Sequence, residues 1–386
     1  MRSINPIRES CGDKKMLIKD ICTSITDGSH NPPQGIASSS YLMLSSKNVF
    51  DDKITLDEPR FLSEEDFAKE NKRTNVKCGD ILLTIVGTVG RAAVVSSDLP
   101  PFTLQRSVAV LHPKEEVCSS RYLMYALRGK RSYIESHSKG VAQKGIYLKE
   151  VAGIDLPVHP KAMQEKITNR LDKLAFIIKC RQQELQKLDD LVRARFVELF
   201  GDENNSKNWS IVHIEDVADV QVGVVIKPSQ YYTDESNGIK AFRSLNVGAG
   251  FIKDSDWVYF TAEGHQKNSK SILRENDLLI VRSGAPGTAC VVTEDYVGCN
   301  AIDIIIAHPD CEKVNPYYLC TFTNMPHGKK QIVEGTGGAA QQHFNVGKYN
   351  KLQLMLPPKE LQDKFVEFIN QIAKSKFTKT FRPLQC

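Results

Sequence analysis

The feature that most constrains the fold is an internal repeat, because a chain that carries one sequence pattern twice contains the same domain twice. The segment GDILLTIVGTVGRAAVV, Gly79 to Val95, aligns without a gap with NDLLIVRSGAPGTACVV, Asn276 to Val292, at an offset of 197 residues. Three further pairs keep this offset within one residue: SSKNV at 45–49 with RSLNV at 243–247, VLHP at 110–113 with IAHP at 306–309, and IDLPVHPKAMQEKI at 154–167 with LQLMLPPKELQDKF at 352–365. So constant an offset predicts two copies of one domain.

Each copy contains short β-branched runs bounded by Gly, Asp and Asn, which are typical of strands. In the first copy these runs are Ile81 to Val86, Ala92 to Val95 and Val108 to Leu111. Ser119 to Arg128 and Asn315 to Phe322 have the pattern of helices. The fold class is therefore predicted as α/β, with two pseudo-repeated mixed α/β domains at 1–159 and 201–357, each near the usual size of a domain.

A long helix is predicted between the two copies. Residues Pro160 to Leu199 contain no Gly and no internal Pro, and apolar residues recur at coiled-coil spacings of four and three. At 1.5 Å per residue this helix would measure roughly 60 Å, more than a domain of this size needs internally. We assign it to 160–200; a helix packed wholly on its own domain is the alternative. The second copy enters the same pattern at Pro358 and loses it after Phe377, so a shorter helix is expected within 358–386.

Composition excludes few function classes. The formal net charge of +5 permits binding to nucleic acid without requiring it. The longest apolar runs, such as Leu278 to Val281, are far too short to span a bilayer, and the chain does not open like a signal peptide. The cytoplasm is therefore the expected location, with no membrane partner. The ten cysteines form no CxxC pair and no His stands at metal-ligand spacing, so no metal site is predicted.

Two motifs suggest catalysis, and the repeat argues against both. NPPQ, Asn31 to Gln34, resembles the loop with which adenine-N6 methyltransferases hold the target amino group, and EGTGGAA at 334–340 resembles a loop for S-adenosylmethionine. At the repeat offset NPPQ falls on KPSQ and the glycines fall on SHSKGVAQK, so neither copy has both motifs. No catalytic residue is therefore assigned. An adenine-N6 DNA methyltransferase that uses Asn31 and Gly335 to Gly338, and a structural adaptor that binds no DNA, stay as alternatives.

Polar loop residues recur in both copies with changed identity. Arg can pair with guanine, and Asn or Gln with adenine, through two hydrogen bonds, so one scaffold with two sets of such residues indicates two different readings of DNA bases. The placement pairs His30, Asn31 and Gln34 with Lys227 and Gln230, Lys47 and Asn48 with Arg243 and Asn246, and Gln143 and Lys144 with Gln341 and Gln342; Arg282, which stands where Ile85 stands in the first copy, is a further candidate DNA contact.

These blocks resemble the specificity subunit of Type I restriction-modification systems. The resemblance rests on DGSHNPP at 27–33, on GDILLTIVGTVGR at 79–91 with NDLLIVRSGAPGT at 276–288, and on the entries into the two helices, LPVHPKAMQEKI at 156–167 and LPPKELQDKF at 356–365. It covers nearly the whole chain. The order of the blocks, their duplication and the helix together are more specific than any one motif.

The resemblance implies a non-catalytic subunit without a cofactor of its own. Each domain would be a target recognition domain that reads one half of a split, asymmetric target in double-stranded DNA, and long antiparallel coiled-coil helices would set the gap. Methyltransferase subunits that carry S-adenosylmethionine would dock on the helices, and a translocase-nuclease subunit would join for cleavage.

The short second helix departs from that pattern. It leads us to expect that the apolar seam from Leu185 to Leu199 lacks its intramolecular partner. A methyltransferase subunit, a second copy of this chain or residues 1–13 would then cover it. The predicted partner-binding residues are Ile178, Leu185, Leu188 and Val192.

Overall fold

A computed structural model describes residues 14–140, 144–335 and 344–380. The chain divides into two compact units, Met1–Cys180 and Arg181–Cys386. The boundary between them falls inside the longest helix, so each unit consists of one domain copy together with one half of that helix.

The first unit is built on a central antiparallel sheet. Its strands are β1 (Lys14–Leu17), β2 (Cys22–Asp27), β3 (Leu42–Leu44), β4 (Val49–Phe50), β5 (Lys53–Ile54), β6 (Arg60–Phe61), β7 (Ile81–Thr84), β8 (Ala92–Val94), β9 (Phe102–Leu104), β10 (Val108–Pro113) and β11 (Asp155–Val158). Its helices are α1 (Ile18–Ile21), α2 (Glu64–Thr74), α3 (Ser120–Gly129), α4 (Arg131–Ser136), α5 (Leu148–Ala152) and the first half of α6 (Lys161–Phe200). The central sheet has the order β2-β10-β7-β8; a second sheet has the order β6-β3-β9, with β3 and β9 parallel, and β1 pairs with β11.

The central sheet is covered on both faces, which explains why residues 81–83 of β7 are an apolar run. Ile81 and Leu83 pack in one cluster with residues of α3, while Leu82 packs in another with residues of β3 and β9. All three are fully buried. Side chains alternate between the two faces of a strand, so a strand that is buried on both faces needs apolar residues at every position.

The second unit repeats this topology. Its strands are β12 (Ser210–His213), β13 (Ala218–Val222), β14 (Tyr232–Thr233), β15 (Ile239–Phe242), β16 (Val258–Phe260), β17 (Leu278–Val281), β18 (Ala289–Val291), β19 (Asn300–Ala301), β20 (Ile304–Pro309) and β21 (Gln353–Leu356). Its helices are the second half of α6, α7 (Ala262–Lys267), α8 (Pro316–Asn324), α9 (Pro326–Gly335), α10 (Val346–Asn350) and α11 (Lys359–Thr380). The central sheet has the order β13-β20-β17-β18, β15 and β19 are parallel, and β12 pairs with β21. The prediction of two copies of one mixed α/β domain is confirmed.

A buried glutamine fixes the start of the last helix of each copy. In α6, Gln164 Oε1 accepts a hydrogen bond from Ser119 N at 2.9 Å, which ties the helix to the residue before α3. In α11, Gln362 Oε1 accepts one from Asn315 N at 2.8 Å, the residue before α8. Both glutamines are buried. This shared contact explains why the sequence at the two helix entries is repeated.

The long helix predicted from Pro160 to Leu199 is present as α6. Helix α11 packs antiparallel beside its C-terminal half. The Phe365 ring contacts Phe196 and Phe200 near the end of α6, whereas Lys376, farther along α11, pairs with Asp189, nearer the middle of α6. No described helix, α6 included, has an apolar stretch long enough to cross a membrane.

This pairing corrects the expected position of the uncovered seam. Val192 and Leu199 pack against the core of the second unit instead of lying uncovered. The uncovered part lies earlier in α6, where Leu174, Ile177 and Ile178 are exposed. Because α11 is antiparallel to α6, it packs first against the C-terminal end of α6. A short α11 therefore leaves the middle of α6 exposed. Among the predicted partner-binding residues, Ile178 and Leu185 are exposed, Leu188 is half-buried and Val192 packs against the core.

Candidate nucleic-acid interface

One edge of the first unit is assembled from loops that begin where β2 and β3 end. The chain from Leu104 to Arg106 runs between two of these loops. On one side, Ser29 N donates to Leu104 O at 2.7 Å and Arg106 N donates to Ser29 O at 2.9 Å; on the other, Gln105 N donates to Leu44 O at 2.8 Å. Hydrogen-bonded neighbours of this kind lie about 4.8 Å apart, so the two loops leave the sheet roughly 10 Å from each other.

The second unit has the same arrangement around residues 301–303. Val224 N donates to Ala301 O at 2.8 Å and Asp303 N donates to Val224 O at 3.1 Å, while Ile302 N donates to Phe242 O at 2.8 Å on the other side. We call this repeated set of hydrogen bonds the edge frame. It matches Ser29 with Val224, Leu44 with Phe242, and Arg106 with Asp303.

A glycine opens the first loop of each edge because the backbone approaches too closely for a side chain. A Cβ atom on Gly28 would overlap the carbonyl oxygen of Leu104, and a Cβ atom on Gly223 would overlap that of Ala301. The glycine of DGSHNPP is therefore required by the edge frame.

We call the loops at 28–35, 45–48, 86–91, 105–107, 137–140 and 144–145 the first loop edge. Ser46 N donates to Ser107 Oγ at 3.0 Å and Gly87 N donates to Lys144 O at 2.9 Å, so these loops are tied together. They contain no Asp and no Glu, although the whole chain has 46 acidic against 51 basic residues. A surface of this composition attracts a polyanion. Its basic residues are Lys47, Arg91, Arg106, Lys139 and Lys144.

Most of the predicted DNA contacts of the first copy are exposed on this edge, namely His30, Asn31, Gln34, Lys47 and Lys144. His30 Nε2 lies 2.7 Å from Oδ2 of Asp27, a buried carboxylate that also pairs with Arg73 and so holds the ring at the start of the loop. Within the part of the chain that the structure describes, the amides of Asn31 and Gln34 have no hydrogen-bond partner and can meet base edges. Gln143 lies outside the described residues.

Asn48 and Asn246 face the interior, which corrects their assignment as DNA contacts. Asn48 Oδ1 accepts from Ser45 N at 3.0 Å and its Nδ2 donates to a backbone carbonyl at 2.8 Å. Asn246 Oδ1 accepts from Arg243 N at 2.9 Å and its Nδ2 donates to a backbone carbonyl at 2.7 Å. Both side chains are buried. These amides close the turn that follows β3 or β15 and have no atoms left to read a base.

We call residues 223–231, 243–248, 282–287 and 301–303 the second loop edge. Lys227 and Gln230, two of the predicted DNA contacts, are exposed on this edge. Lys227 has a left-handed backbone conformation with φ 44°. Gln341 and Gln342 lie outside the described residues.

Two arginines of the second copy make contacts within the protein. Arg282 pairs with Asp303 and its Nε donates to Phe344 O at 3.2 Å, so its guanidinium stabilises the edge; this corrects its assignment as a DNA contact. Arg243 is half-buried, and its guanidinium donates to the backbone oxygen of Asp256. Arg243 therefore lies on the edge with its guanidinium held by the backbone, and is only partly available to a ligand.

Sequence patterns alone do not identify several exposed residues of the two edges. Arg106 is exposed in the middle of the first loop edge, and no carboxylate of the described residues lies within salt-bridge distance of it. Ile226 and Leu245 are exposed on the second. The edge frame matches Lys47 with Leu245, where the sequence comparison had paired Lys47 with Arg243. The alignment of SSKNV with RSLNV already contained that match.

The fold and its edges define a class of protein: a duplicated α/β domain, carried on a long helix, with a loop edge that suits a polyanion. The sequence matches the Type I restriction modification DNA specificity domain at residues 39–189 and again at 206–381, once in each copy. Because these two matches cover most of the chain, the protein belongs to this family.

Curated relatives carry the corresponding names. The chain is 24% identical over 229 residues to the Type I restriction enzyme MjaVIII specificity subunit of Methanocaldococcus jannaschii, covering 54% of this chain and 51% of the relative. It is 20% identical over 296 residues to the Type I restriction enzyme EcoBI specificity subunit of Escherichia coli, covering 70% and 62%. The chain thus spans about half to three fifths of the length of these relatives.

Solved structures share the fold. The S subunit of a Type I restriction-modification system from M. genitalium aligns with a TM-score of 0.57 at 13% identity, over 97% of this chain and 92% of that one. A chain from a study of complex assembly and conformational transition in a Type I R-M system aligns with a TM-score of 0.53 at 16% identity, over 97% and 93%. At these identities the likeness shows the fold alone.

Proposed function

We propose that this chain is the DNA sequence-specificity subunit of a Type I restriction-modification complex. The observation that carries the proposal is the first loop edge, which has no acidic residue and five basic ones, of which Lys139 pairs with Glu150, and which is built on a frame that the second copy repeats with other side chains. Two domains that share one backbone frame but expose different side chains can each bind a different DNA sequence, as a split, asymmetric target requires. The recognition domains would occupy 1–159 and 201–357, and the spacer helices 160–200 and 358–386.

The residues of each edge would divide between bases and phosphates. Asn31 and Gln34 would read base edges in one half-site, because an amide can form two hydrogen bonds with adenine. Lys47, Arg106 and Lys144 would contact phosphates, which position the protein without selecting sequence. Lys227 and Gln230, with Gln341 and Gln342 as further candidates, would serve the other half-site.

Catalysis would belong to partner subunits in the cytoplasm. Methyltransferase subunits that carry S-adenosylmethionine would methylate adenine in each half-site, and a translocase-nuclease subunit would join for cleavage. Leu174, Phe176, Ile177 and Ile178 are exposed apolar side chains in the middle of α6, and they offer the partner a surface that no domain core uses. A second copy of this chain is the other candidate for this surface.

Selection from a random duplex library tests the proposal. The purified full chain is expected to enrich two short conserved blocks separated by a fixed gap, and the preference should persist at moderate salt, since phosphate attraction alone fades steeply as salt rises. A structural adaptor would enrich no sequence. Titration calorimetry with S-adenosylmethionine tests the alternative that the chain is itself a methyltransferase. Binding of one equivalent to the chain alone would favour that alternative.

A further inference from the structure

Large apolar side chains are exposed on the second loop edge. Ile226 is 79% exposed, the highest value for a large apolar side chain in the described part of the chain, and Leu245 and Val225 are 63% and 50% exposed. Exposed apolar residues add nothing to the core of their own domain. Several of them on one edge mark a surface that another molecule covers.

These side chains stand where the first copy has polar ones. The edge frame matches Ile226 with Asn31, and Leu245 with Lys47. The frame itself is unchanged, so the two edges differ mainly in the chemistry of the side chains they present. If the first edge faces DNA, the second edge faces DNA in the same way.

The surroundings of Ile226 also suit a duplex. The two loops begin at Val224 and Phe242 on either side of residues 301–303, roughly 10 Å apart, and the major groove is about 12 Å wide. Lys227 follows Ile226 directly and supplies an exposed cation for a phosphate. Asp303, the acidic residue of this edge, is neutralised by Arg282. An apolar tip beside a cation can therefore enter the groove without an unpaired carboxylate facing the phosphates.

Apolar side chains cannot exchange hydrogen bonds with a base, but they can contact the C5-methyl group that thymine presents in the major groove. We propose that the second loop edge selects thymine in its half-site through contact of Ile226 and Leu245 with thymine methyl groups. This inference rests on the proposed function and adds to it the chemical feature that one half of the target must contain.

Duplexes with uracil in place of thymine test the inference, since uracil lacks only the methyl group. The duplex enriched by the full chain is resynthesised with deoxyuridine in one half-site at a time. We expect affinity to fall about four-fold for each contacted methyl lost from the half-site of the second edge, and to stay unchanged when the other half is substituted.

Variants assign the effect to the edge. Ile226→Ala should weaken binding to the thymine duplex and leave affinity for the uracil duplex unchanged, so that the difference between the two shrinks. Ile211→Ala is the matched control, because Ile211 is 55% exposed but lies in β12, away from the edge. Both variants should keep the thermal transition of the parent.

Three results would overturn the inference while the proposed function stands: half-sites without thymine, indifference to uracil in both halves, or equal weakening of both duplexes by Ile226→Ala. The last would indicate a sequence-independent apolar contact. Enrichment of no sequence at all would overturn the proposed function and this inference with it.

Discussion

At the residue scale, the repeat separates side chains that hold the fold from side chains that face a ligand. Several polar residues with unchanged identity in both copies are bonded within their own unit: Asn48 and Asn246, and Gln164 and Gln362, are buried, and the half-buried His112 and His308 pair with the buried Asp80 and Asp277. Matched positions with changed identity, such as Asn31 and Ile226, are exposed. The sequence could place the loops but not this division, because Asn and Arg serve turns as readily as they serve bases.

Asn246→Ala should destabilise the second unit without changing sequence preference. Loss of the side chain leaves the Arg243 N–H and the carbonyl of Ser255 without these hydrogen bonds, which costs about 1 to 3 kcal/mol in the free energy of unfolding. Urea unfolding of the full chain measures the loss, and Leu245→Ala, its exposed neighbour, is the control that should unfold like the parent. Altered sequence preference with unaltered stability would return Asn246 to the set of DNA contacts.

Arg106→Ala should weaken DNA binding for all sequences alike. Removal of one phosphate contact lowers the slope of log affinity against log salt by about one. Binding by the full chain is measured from low to moderate salt, with Lys19→Ala as control, because Lys19 is exposed on α1 before the opposite end of β2. An unchanged slope, or a change of preference at one base pair, would contradict a phosphate contact.

At the element scale, the sequence predicts the length of α6 but not which part of α6 is covered by α11. The pattern from Pro160 to Leu199 has no Gly or internal Pro and predicts one helix. Which part of the seam is covered depends on where α11 begins, and its start at Lys359 lies beside the end of α6 because the two helices are antiparallel. The core contacts of Val192 are tertiary, so helical periodicity alone could not distinguish them from a contact with a partner.

Charge in the middle of α6 should separate partner binding from folding. Ile178→Asp places a carboxylate on an exposed part of the helix, so the chain should fold normally but no longer co-purify with its methyltransferase subunit. Val192→Asp places a carboxylate at a half-buried position against the core of the second unit and should lower its free energy of unfolding by about 1 to 3 kcal/mol. Co-expression pull-down and urea unfolding are measured for both variants. If Ile178→Asp co-purified with the methyltransferase subunit as well as the parent does, the docking surface would have to lie outside the middle of α6.

At the scale of the whole molecule, the repeat predicted most of the architecture. Two mixed α/β copies and the helix that follows the first were visible in the sequence. The strand order and the parallel pairing of β3 with β9 were not, because such pairings join residues far apart in the chain. The edge frame also needed the structure, since only backbone hydrogen bonds show that residues 104–106 and 301–303 organise the loops. The proposed function assigns one half of a DNA target to each copy.

Mapping of methylated sites tests that assignment most directly. DNA is sequenced for adenine methylation from cells that express the cognate methyltransferase with the parent chain, with the double variant Asn31→Ala and Gln34→Ala, or with the double variant Lys227→Ala and Gln230→Ala. All four substituted side chains are exposed, so both variants should fold. We predict that the first variant relaxes sequence preference in one half of the site, that the second relaxes it in the other half, and that the gap between the halves stays fixed. Relaxation of the same half by both variants, or a uniform loss of methylation with preference intact, would contradict the account.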